Sequence, residues 1–243
     1  MESIIFTITS IQLITDSVMS FKILYVTATI PEGDTLNKIG GMIPVQGGFL
    51  FGNFEIHPLI AGIGSITTAW AMKQWIIQNG KPDLAINAGI AGSYYDKYTE
   101  GDVLMPVSDC FADAGIEDGD QFMTLHEAGL VGADEYPYRN GIIYSENEYS
   151  EKLKNILKPV KAITVNTATG SEITRIKLMN KFNPDIETME GATFFYICSL
   201  ERIPFLALRA ISNKVGPRNR NNWKVALALN NLSEKLIEVL LTL

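Results

Sequence analysis

The sequence predicts an α/β protein in which a mostly parallel β-sheet is covered by helices on both faces. Short apolar runs typical of buried strands alternate along the chain with segments whose apolar residues recur at helical spacing. Several of the strand-like runs are apolar without interruption, which is expected of strands that are buried on both faces of a parallel sheet. These two observations fix the predicted fold class.

The predicted elements follow one another from residue 22 to residue 241. The predicted strands are residues 22–27, a hairpin within 48–63 that turns near Asn53, and then 83–87, 103–107, 162–165 and 203–211. The predicted helices are residues 65–78, 150–157, 171–180, 192–201 and 223–241. We find no internal repeat and no linker among them, so residues 21–243 are expected to form one domain.

The composition argues against several classes of function. The chain has 243 residues, of which 47% are hydrophobic and 19% are charged, and its net charge is −7. An acidic chain without a basic tract does not neutralise phosphates well, so no nucleic-acid partner is expected. The cysteines Cys110 and Cys198 and the histidines His57 and His126 show no metal-ligand spacing. We therefore expect no metal, no disulfide and a reducing, cytoplasmic location.

The first twenty residues differ from the rest of the chain. Residues 3–15 are apolar and uncharged, but this stretch is too short to span a bilayer. A signal peptide begins with a positively charged region, whereas no Lys or Arg precedes Lys22 in this chain. Met19 stands just before the first clear strand. We expect residues 1–20 to be an extension without function, with translation starting at Met19 and no membrane association. A cleaved leader is the alternative.

Segments that directly follow strands carry the functional information, because ligands of open α/β sheets bind beyond the carboxyl ends of the strands. Besides the polar segment 27–32, two such segments, 62–64 and 88–92, are rich in glycine. Glycine allows backbone N–H groups to approach a ligand, and tight turns are the alternative explanation. Neither segment matches a dinucleotide or triphosphate motif.

Two further segments place charged residues among apolar neighbours. Segment 186–192 has Glu187 and Glu190 on either side of Met189, and segment 209–213 places Arg209 inside a strand with a polar tip behind it. The two acids would complement the dipole of the helix that follows. A carboxylate among apolar residues nevertheless needs partners, and a ribose diol offers two hydroxyl donors to one carboxylate.

These segments together resemble the purine nucleoside phosphorylase and 5′-methylthioadenosine/S-adenosylhomocysteine nucleosidase superfamily. The resemblance covers residues 21–243 through the motifs 22–32, 62–64, 86–92, 101–103, 189–192 and 209–213. It implies a three-layer α/β sandwich around a twisted mixed, mostly parallel sheet. It also implies a homodimer or larger homo-oligomer, a small-molecule purine nucleoside as ligand, and no cofactor.

The resemblance further implies roles for individual residues. Met189 and Glu190 match the superfamily's ribose-binding pair, and Glu32 matches the glutamate with which the nucleosidases activate water. Asn213 stands where the superfamily contacts the base. Three residues of the glycine-rich motifs are expected to bind the nucleoside as well: Gly64, Ala91 and Gly92.

The sequence favours hydrolysis over phosphorolysis. Phosphorylases of the superfamily hold phosphate with arginines in the first strand-loop and beside the glycine-rich strand end. This chain has Ile30, Pro31 and Glu32 in the first place and Ala88 and Gly89 in the second. A carboxylate repels phosphate but suits a water molecule that must lose a proton.

Asn213 points to a 6-oxopurine as the base. Adenine-specific nucleosidases carry Asp at this position, and a protonated Asp can donate to N7. An Asn amide instead donates to O6 and accepts from N7–H; a cap of the following turn is the alternative role. The motifs 111–113, 117–119, 165–167 and 212–220 resemble the futalosine hydrolase family. That resemblance implies hydrolysis of futalosine to hypoxanthine and dehypoxanthinylfutalosine in menaquinone biosynthesis.

Futalosine carries a benzoate on its 5′ side, which needs a cation. Arg218 and Arg220 are candidates, and solvated surface arginines are the alternative. Phe111 and Trp223 are candidates for the wall around the aromatic ring, with core packing as the alternative. A methylthioadenosine/S-adenosylhomocysteine nucleosidase, a phosphorylase and a non-catalytic nucleoside-binding protein stay open as functions. Asn213 speaks against the first of these.

Overall fold

The computed structural model describes residues 20–217 and 219–243. Its strands are β1 (Phe21–Thr27), β2 (Ile43–Val45), β3 (Gly48–Phe51), β4 (Phe54–Ile60), β5 (Leu84–Ser93), β6 (Val103–Asp109), β7 (Gly115–Asp118), β8 (Gln121–Thr124), β9 (Ile143–Tyr144), β10 (Lys158–Thr164), β11 (Ile186–Thr188) and β12 (Phe205–Lys214). Its α-helices are α1 (Ile30–Gly33), α2 (Ser65–Asn79), α3 (Glu148–Leu153), α4 (Glu172–Phe182), α5 (Gly191–Glu201) and α6 (Val225–Thr242). Apart from Ser20, the predicted N-terminal extension lies outside the described residues, and so does Arg218.

Ten of the described strands form one mixed sheet. Its order is β2-β3-β4-β1-β5-β12-β6-β10-β11, and β9 pairs with β6. The pairs β1–β4, β1–β5, β5–β12, β6–β10 and β10–β11 are parallel. Because β11 also pairs antiparallel with β5, the strands β5, β12, β6, β10 and β11 close into a ring, which the sequence did not predict.

Helices cover the sheet on both faces, which confirms the predicted fold class. On β1, Ile23 and Tyr25 pack in a core with α6, whereas the alternate residues Leu24 and Val26 pack in a second core with α2 and α5. This alternation follows from the two-residue period of a strand. Among the described residues, no helix has the length and apolar character needed to cross a membrane.

The strands that carry the glycine-rich and polar segments are longer than predicted. Residues 88–92 were expected to leave the sheet as a loop, but β5 continues to Ser93, and β12 likewise continues to Lys214. The two extensions pair with each other, from Ala88 opposite Leu208 to Ser93 opposite Lys214. Mutual pairing therefore outweighs the low strand propensity of glycine, and Gly92 and Asn213 lie on neighbouring strands.

Other boundaries differ because of local contacts. Helix α3 begins at Glu148 rather than at residue 150, since the Asn147 side chain accepts the backbone N–H groups of Tyr149 and Ser150 as an N-cap. The helix ends at Leu153, and β10 begins at Lys158. The short elements α1, β2, β7, β8, β9 and β11 were not predicted.

Candidate active site

A cavity of about 480 Å³ opens at the carboxyl ends of β1, β5 and β12. Ligands of open α/β sheets bind at this edge. The cavity is lined by most of the residues that the sequence singled out: Glu32, Ala91, Gly92, Met189, Glu190, Asn213 and Trp223. The structure thus brings together motifs that are far apart in the chain.

Glu32 lies in the short helix α1, directly behind β1. Its side chain is only 7% exposed. Oε2 accepts the backbone N–H of Thr29 at 2.9 Å and the Thr29 hydroxyl at 2.8 Å, and Oε1 accepts the N–H of Ile90 at 3.0 Å. These donors hold a carboxylate in the cavity wall, where the sequence predicted the base that activates water.

Gly89 is required by the position of Glu32. A Cβ atom at residue 89 would lie 2.6 Å from Oε1 of Glu32, well inside contact distance. Glycine in β5 therefore allows the carboxylate to approach the strand and reach the N–H of Ile90. The sequence predicted that backbone N–H groups of segment 88–92 approach a ligand, but the N–H of Ile90 donates to Glu32, a carboxylate of the protein itself.

Glu190 connects the beginnings of two helices. It precedes α5 as its N-cap residue, but its side chain does not cap that helix. Oε1 instead accepts the backbone N–H of Gly64 at 2.8 Å, at the N-cap of α2, where φ is +92° and glycine is favoured. Gly64 therefore acts on the cavity through Glu190. One bond of this kind leaves most of the carboxylate's acceptor sites for a ligand.

The surroundings of Glu190 shift its pKa in opposing directions, with a net rise. Burial raises the pKa of Glu190 above its ordinary value, and the negative charge of Glu32 adds to this effect. The N–H of Gly64 and the charge of Arg209 oppose it. The two carboxylates are therefore close enough to influence each other, and Arg209 is the cation that balances them.

Arg209 is a buried cation that the sequence flagged but did not assign. It is 2% exposed, and its guanidinium donates to the backbone oxygens of Asn87 and Leu208 and to the side-chain oxygen of Asn87. Burial lowers the pKa of Arg209, while the charges of Glu190 and Glu32 oppose that shift. An arginine inside an apolar strand was the sequence signal for this role.

Asp109, at the end of β6, was missed altogether. It is 1% exposed, and Oδ1 accepts the hydroxyl of Thr164 at 3.0 Å. Oδ2 has no hydrogen-bond partner among the described residues, and a Cβ at Gly191 would lie 2.1 Å from it. Burial raises the pKa of Asp109 to about 7, against the effects of Thr164 and Arg209. An acid that ends an apolar strand gave no distinctive signal.

Asn213 lies in β12 with its amide at the cavity. Nδ2 donates to the carbonyl of Lys214 at 2.9 Å, and Oδ1 accepts the hydroxyl of Ser212 at 2.7 Å. An amide has two N–H groups and an oxygen with two lone pairs, so each end has one further bond to offer. Asn213 is therefore able both to donate to a ligand and to accept from it.

The cavity is acidic. Its lining includes Glu32, Glu187 and Glu190, and among the described residues Lys214 is the only cation that lines it. The Lys214 ammonium donates to the carbonyls of Tyr95 and Tyr98. No group of three His, Cys, Asp or Glu residues in the described part of the chain is arranged to hold a metal ion.

Two candidates for the 5′ side of a nucleoside have different locations. Trp223 lines the first cavity. Phe111 does not line it; it lines a second cavity, of about 470 Å³, together with Cys110 and His126. The structure therefore favours the packing role for Phe111. Arg218 lies outside the described residues, and so does the side chain of Arg220.

Known proteins are similar to this chain in sequence. The model of the family described as "Phosphorylase superfamily" matches residues 30–243. The chain is 29% identical over 182 residues to futalosine hydrolase of Streptomyces coelicolor, covering 72% of this chain and 74% of that protein. It is 26% identical over 220 residues to 5′-methylthioadenosine/S-adenosylhomocysteine nucleosidase of Buchnera aphidicola, covering 85% and 86%.

The fold also matches a solved structure. Futalosine hydrolase of Helicobacter pylori superposes with a TM-score of 0.77, covering 93% of this chain and 99% of that one at 18% identity. An identity this low supports the fold alone. The fold is thus shared with a solved protein of the same architecture.

Proposed function

The chain belongs to the phosphorylase superfamily, and from this premise we propose that it hydrolyses the N-glycosidic bond of futalosine, a nucleoside whose base is the 6-oxopurine hypoxanthine. Its relatives are named as hydrolases and nucleosidases. We accordingly place the chain among the N-glycosyl hydrolases. The homo-oligomer that the resemblance implies stays a prediction.

The observation that carries the proposal is the charge of the cavity. Three glutamates line it, and the one described cation on its surface, Lys214, is bound to backbone carbonyls. Inorganic phosphate would meet net negative charge there, which is unfavourable. Water has no charge to repel, and a carboxylate such as Glu32 is the group that accepts its proton.

The proposed reaction assigns one task to each end of the cavity. Glu190, fixed by the N–H of Gly64, accepts the ribose hydroxyls and orients the sugar, and Met189 packs beside it. Water attacks the anomeric carbon while the bond to the purine nitrogen breaks, and the electron pair of that bond leaves with the base. Glu32 takes the proton from water, and the departing base takes one from solvent.

Asn213 acts on the leaving group. Its amide donates to O6 of the base and so stabilises the negative charge that develops on the purine. Because an amide cannot release a proton, this device suits a 6-oxopurine, which is a better leaving group than adenine. Arg209 is buried, and its charge favours the charged form of Glu190 without contacting the nucleoside.

A product assay tests the proposal. The purified chain is incubated with futalosine, inosine and methylthioadenosine, with and without phosphate, and the free bases are separated by chromatography. We expect hypoxanthine from futalosine at a rate that does not depend on phosphate. Release that requires phosphate would establish a phosphorylase instead.

A second candidate is supported by the extent of one match. The Buchnera nucleosidase covers more of this chain than the Streptomyces protein does, 85% against 72%. The same assay separates the candidates, since adenine from methylthioadenosine at a higher kcat/KM than hypoxanthine from futalosine would establish the second. Asn213 favours the first.

A further inference from the structure

Glu187 and Asn213 lie on opposite sides of Gly92. In the ring of strands, Gly92 of β5 is paired with Glu187 of β11 and with Asn213 of β12. Directly paired residues point their side chains to the same face of a sheet. A Cβ at Gly92 would lie 3.3 Å from Nδ2 of Asn213, which places the amide on that face. Both polar side chains line the cavity.

The backbones that carry the two side chains are far enough apart to admit a planar ring. Adjacent strands lie roughly 4.8 Å apart, so two steps separate the backbones by about 10 Å. Val215 covers Gly92 between them, because a Cβ at Gly92 would lie 2.8 Å from its Cγ2. An apolar floor with one polar group at each side is suited to a planar heterocycle that hydrogen-bonds at two edges.

Glu187 is held as an acceptor. It is 7% exposed; Oε1 accepts the N–H of Thr169 at 2.8 Å, and Oε2 accepts the Thr169 hydroxyl at 2.6 Å and the Tyr94 hydroxyl at 2.8 Å. A carboxylate offers about four acceptor positions, so these bonds leave one, on Oε1. Burial and the charge of Glu187 raise the pKa of Tyr94, so that hydroxyl stays a donor.

We infer that Glu187 selects a 6-oxopurine by accepting the N1–H of a base whose O6 and N7 edge faces Asn213. The inference rests on the proposed function and adds a residue for base specificity to it. N1 of a 6-oxopurine carries a hydrogen, whereas N1 of adenine is itself an acceptor. A buried carboxylate facing the adenine nitrogen would leave two acceptors opposed without a proton, which is unfavourable.

Glu187 also differs from Asn213 in the hydrogen-bonding groups that it can offer to a base. An amide presents both a donor and an acceptor, whereas an ionised carboxylate can only accept. The groups of Thr169 and Tyr94 that bind Glu187 all donate to it, so no rotation of the carboxylate presents a donor to the base. Discrimination between the two classes of purine therefore depends more on Glu187 than on Asn213.

The test is Glu187→Gln, assayed with inosine and adenosine. Gln keeps the size of the side chain but removes its negative charge, and, with Nε2 turned toward N1 at the cost of the bond from the Thr169 N–H, it can donate to adenine. We expect the ratio of kcat/KM for inosine to that for adenosine to fall by about 10-fold or more. If both values fall by the same factor, Glu187 only supports the Thr169 segment, and the inference is overturned.

Tyr94→Phe is the matched control. It removes one donor to the same carboxylate but leaves its charge and its free acceptor position, so the inosine-to-adenosine ratio should stay unchanged. A change in this ratio as large as that caused by Glu187→Gln would assign base selection to packing rather than to the carboxylate, and would also overturn the inference.

Binding of free bases separates a failure of the inference from a failure of the proposed function. A wild-type protein that cleaves no nucleoside would contradict the function. Calorimetric titration of that same protein with hypoxanthine and with 1-methylhypoxanthine, which lacks N1–H but keeps O6 and N7, still tests Glu187. We expect about 10-fold weaker binding of the methylated base. Equal affinities would contradict the inference, and no variant has to fold for this measurement.

Discussion

Two cavities in the described part of the chain have nearly the same volume, about 480 and 470 Å³, but their polar groups are held differently. In the first, buried carboxylates on the wall accept backbone N–H groups of β5 and α2, from Ile90 to Glu32 and from Gly64 to Glu190. Those donors are fixed by secondary structure, so the carboxylates are oriented before any ligand arrives.

In the second cavity the polar groups serve the loops that enclose it. Lys181 pairs with Glu127 at 2.7 Å, and Nδ1 of His126 lies 3.3 Å from the carbonyl of Val131 while its ring packs against Tyr138. Exposed pairs of this kind contribute little to stability. The two cavities therefore differ in how their charged groups are oriented and not in their volume. The candidate active site is the cavity in which backbone N–H groups of a strand and a helix end orient buried carboxylates.

The largest expected effect tests the carboxylates of the first cavity. Glu32→Gln removes the proton acceptor and Glu190→Gln the charged sugar anchor, so kcat/KM for futalosine should fall by about 10²- to 10⁴-fold in each. Steady-state assays check this, with Glu238→Gln on the surface of α6 as the control. A rate near that of wild type in either variant would remove that glutamate from the mechanism.

The next effect concerns Asp109, which lies between the two regions. Its neighbour Cys110 lines the second cavity, whereas the charge of Asp109 acts on Arg209, whose own charge acts on Glu190 of the first cavity. Because the pKa of Asp109 is about 7 in the folded protein and near 3.8 when unperturbed, the folded state keeps a proton that the unfolded state loses. The stabilisation by that proton is complete below pH 3.8 and is lost as the pH rises through 7.

Asp109→Asn removes this dependence. Relative to wild type, the variant should gain on the order of 2 kcal/mol in free energy of unfolding between pH 5 and pH 8. Urea denaturation at the two pH values measures the difference. A constant difference between variant and wild type across this range would show that Asp109 does not titrate there.

The sequence predicted the fold around the two cavities only in part. The spacing of apolar residues predicted β1, α2, α5 and α6, because one period of apolar residues decides each of these elements. The ring of strands was not predictable, since β11 has three residues and pairs through contacts far apart in the chain. Local propensity contains no information on such pairing.

The residues of the candidate site were likewise predictable only where a short local motif contains them. Motifs recognisable as short segments gave Glu32, Glu190 and Asn213, which the structure brings to one cavity. Asp109 and the partners of Glu187 were not recognisable, because their significance depends on which backbone and side-chain groups surround them. The motif that contains Phe111 gave no sign that this side chain lines the second cavity rather than the first.

A smaller effect is expected at the base end of the first cavity. Asn213→Asp introduces a group that can carry a proton toward N7, so adenine release should rise relative to hypoxanthine release by about 10-fold. Parallel assays with adenosine and inosine measure this ratio. A ratio equal to that of wild type would show that residue 213 does not contact the base.

The smallest effect is expected in the second cavity, where Phe111→Leu keeps an apolar side chain of reduced volume. Packing loss should lower stability by about 1 kcal/mol, while kcat/KM for futalosine and for inosine should stay within about 2-fold of wild type. Thermal unfolding and steady-state assays measure the two quantities. A selective loss with futalosine, leaving inosine unaffected, would mean that Phe111 contacts the 5′ substituent, and the second cavity would then belong to the substrate site.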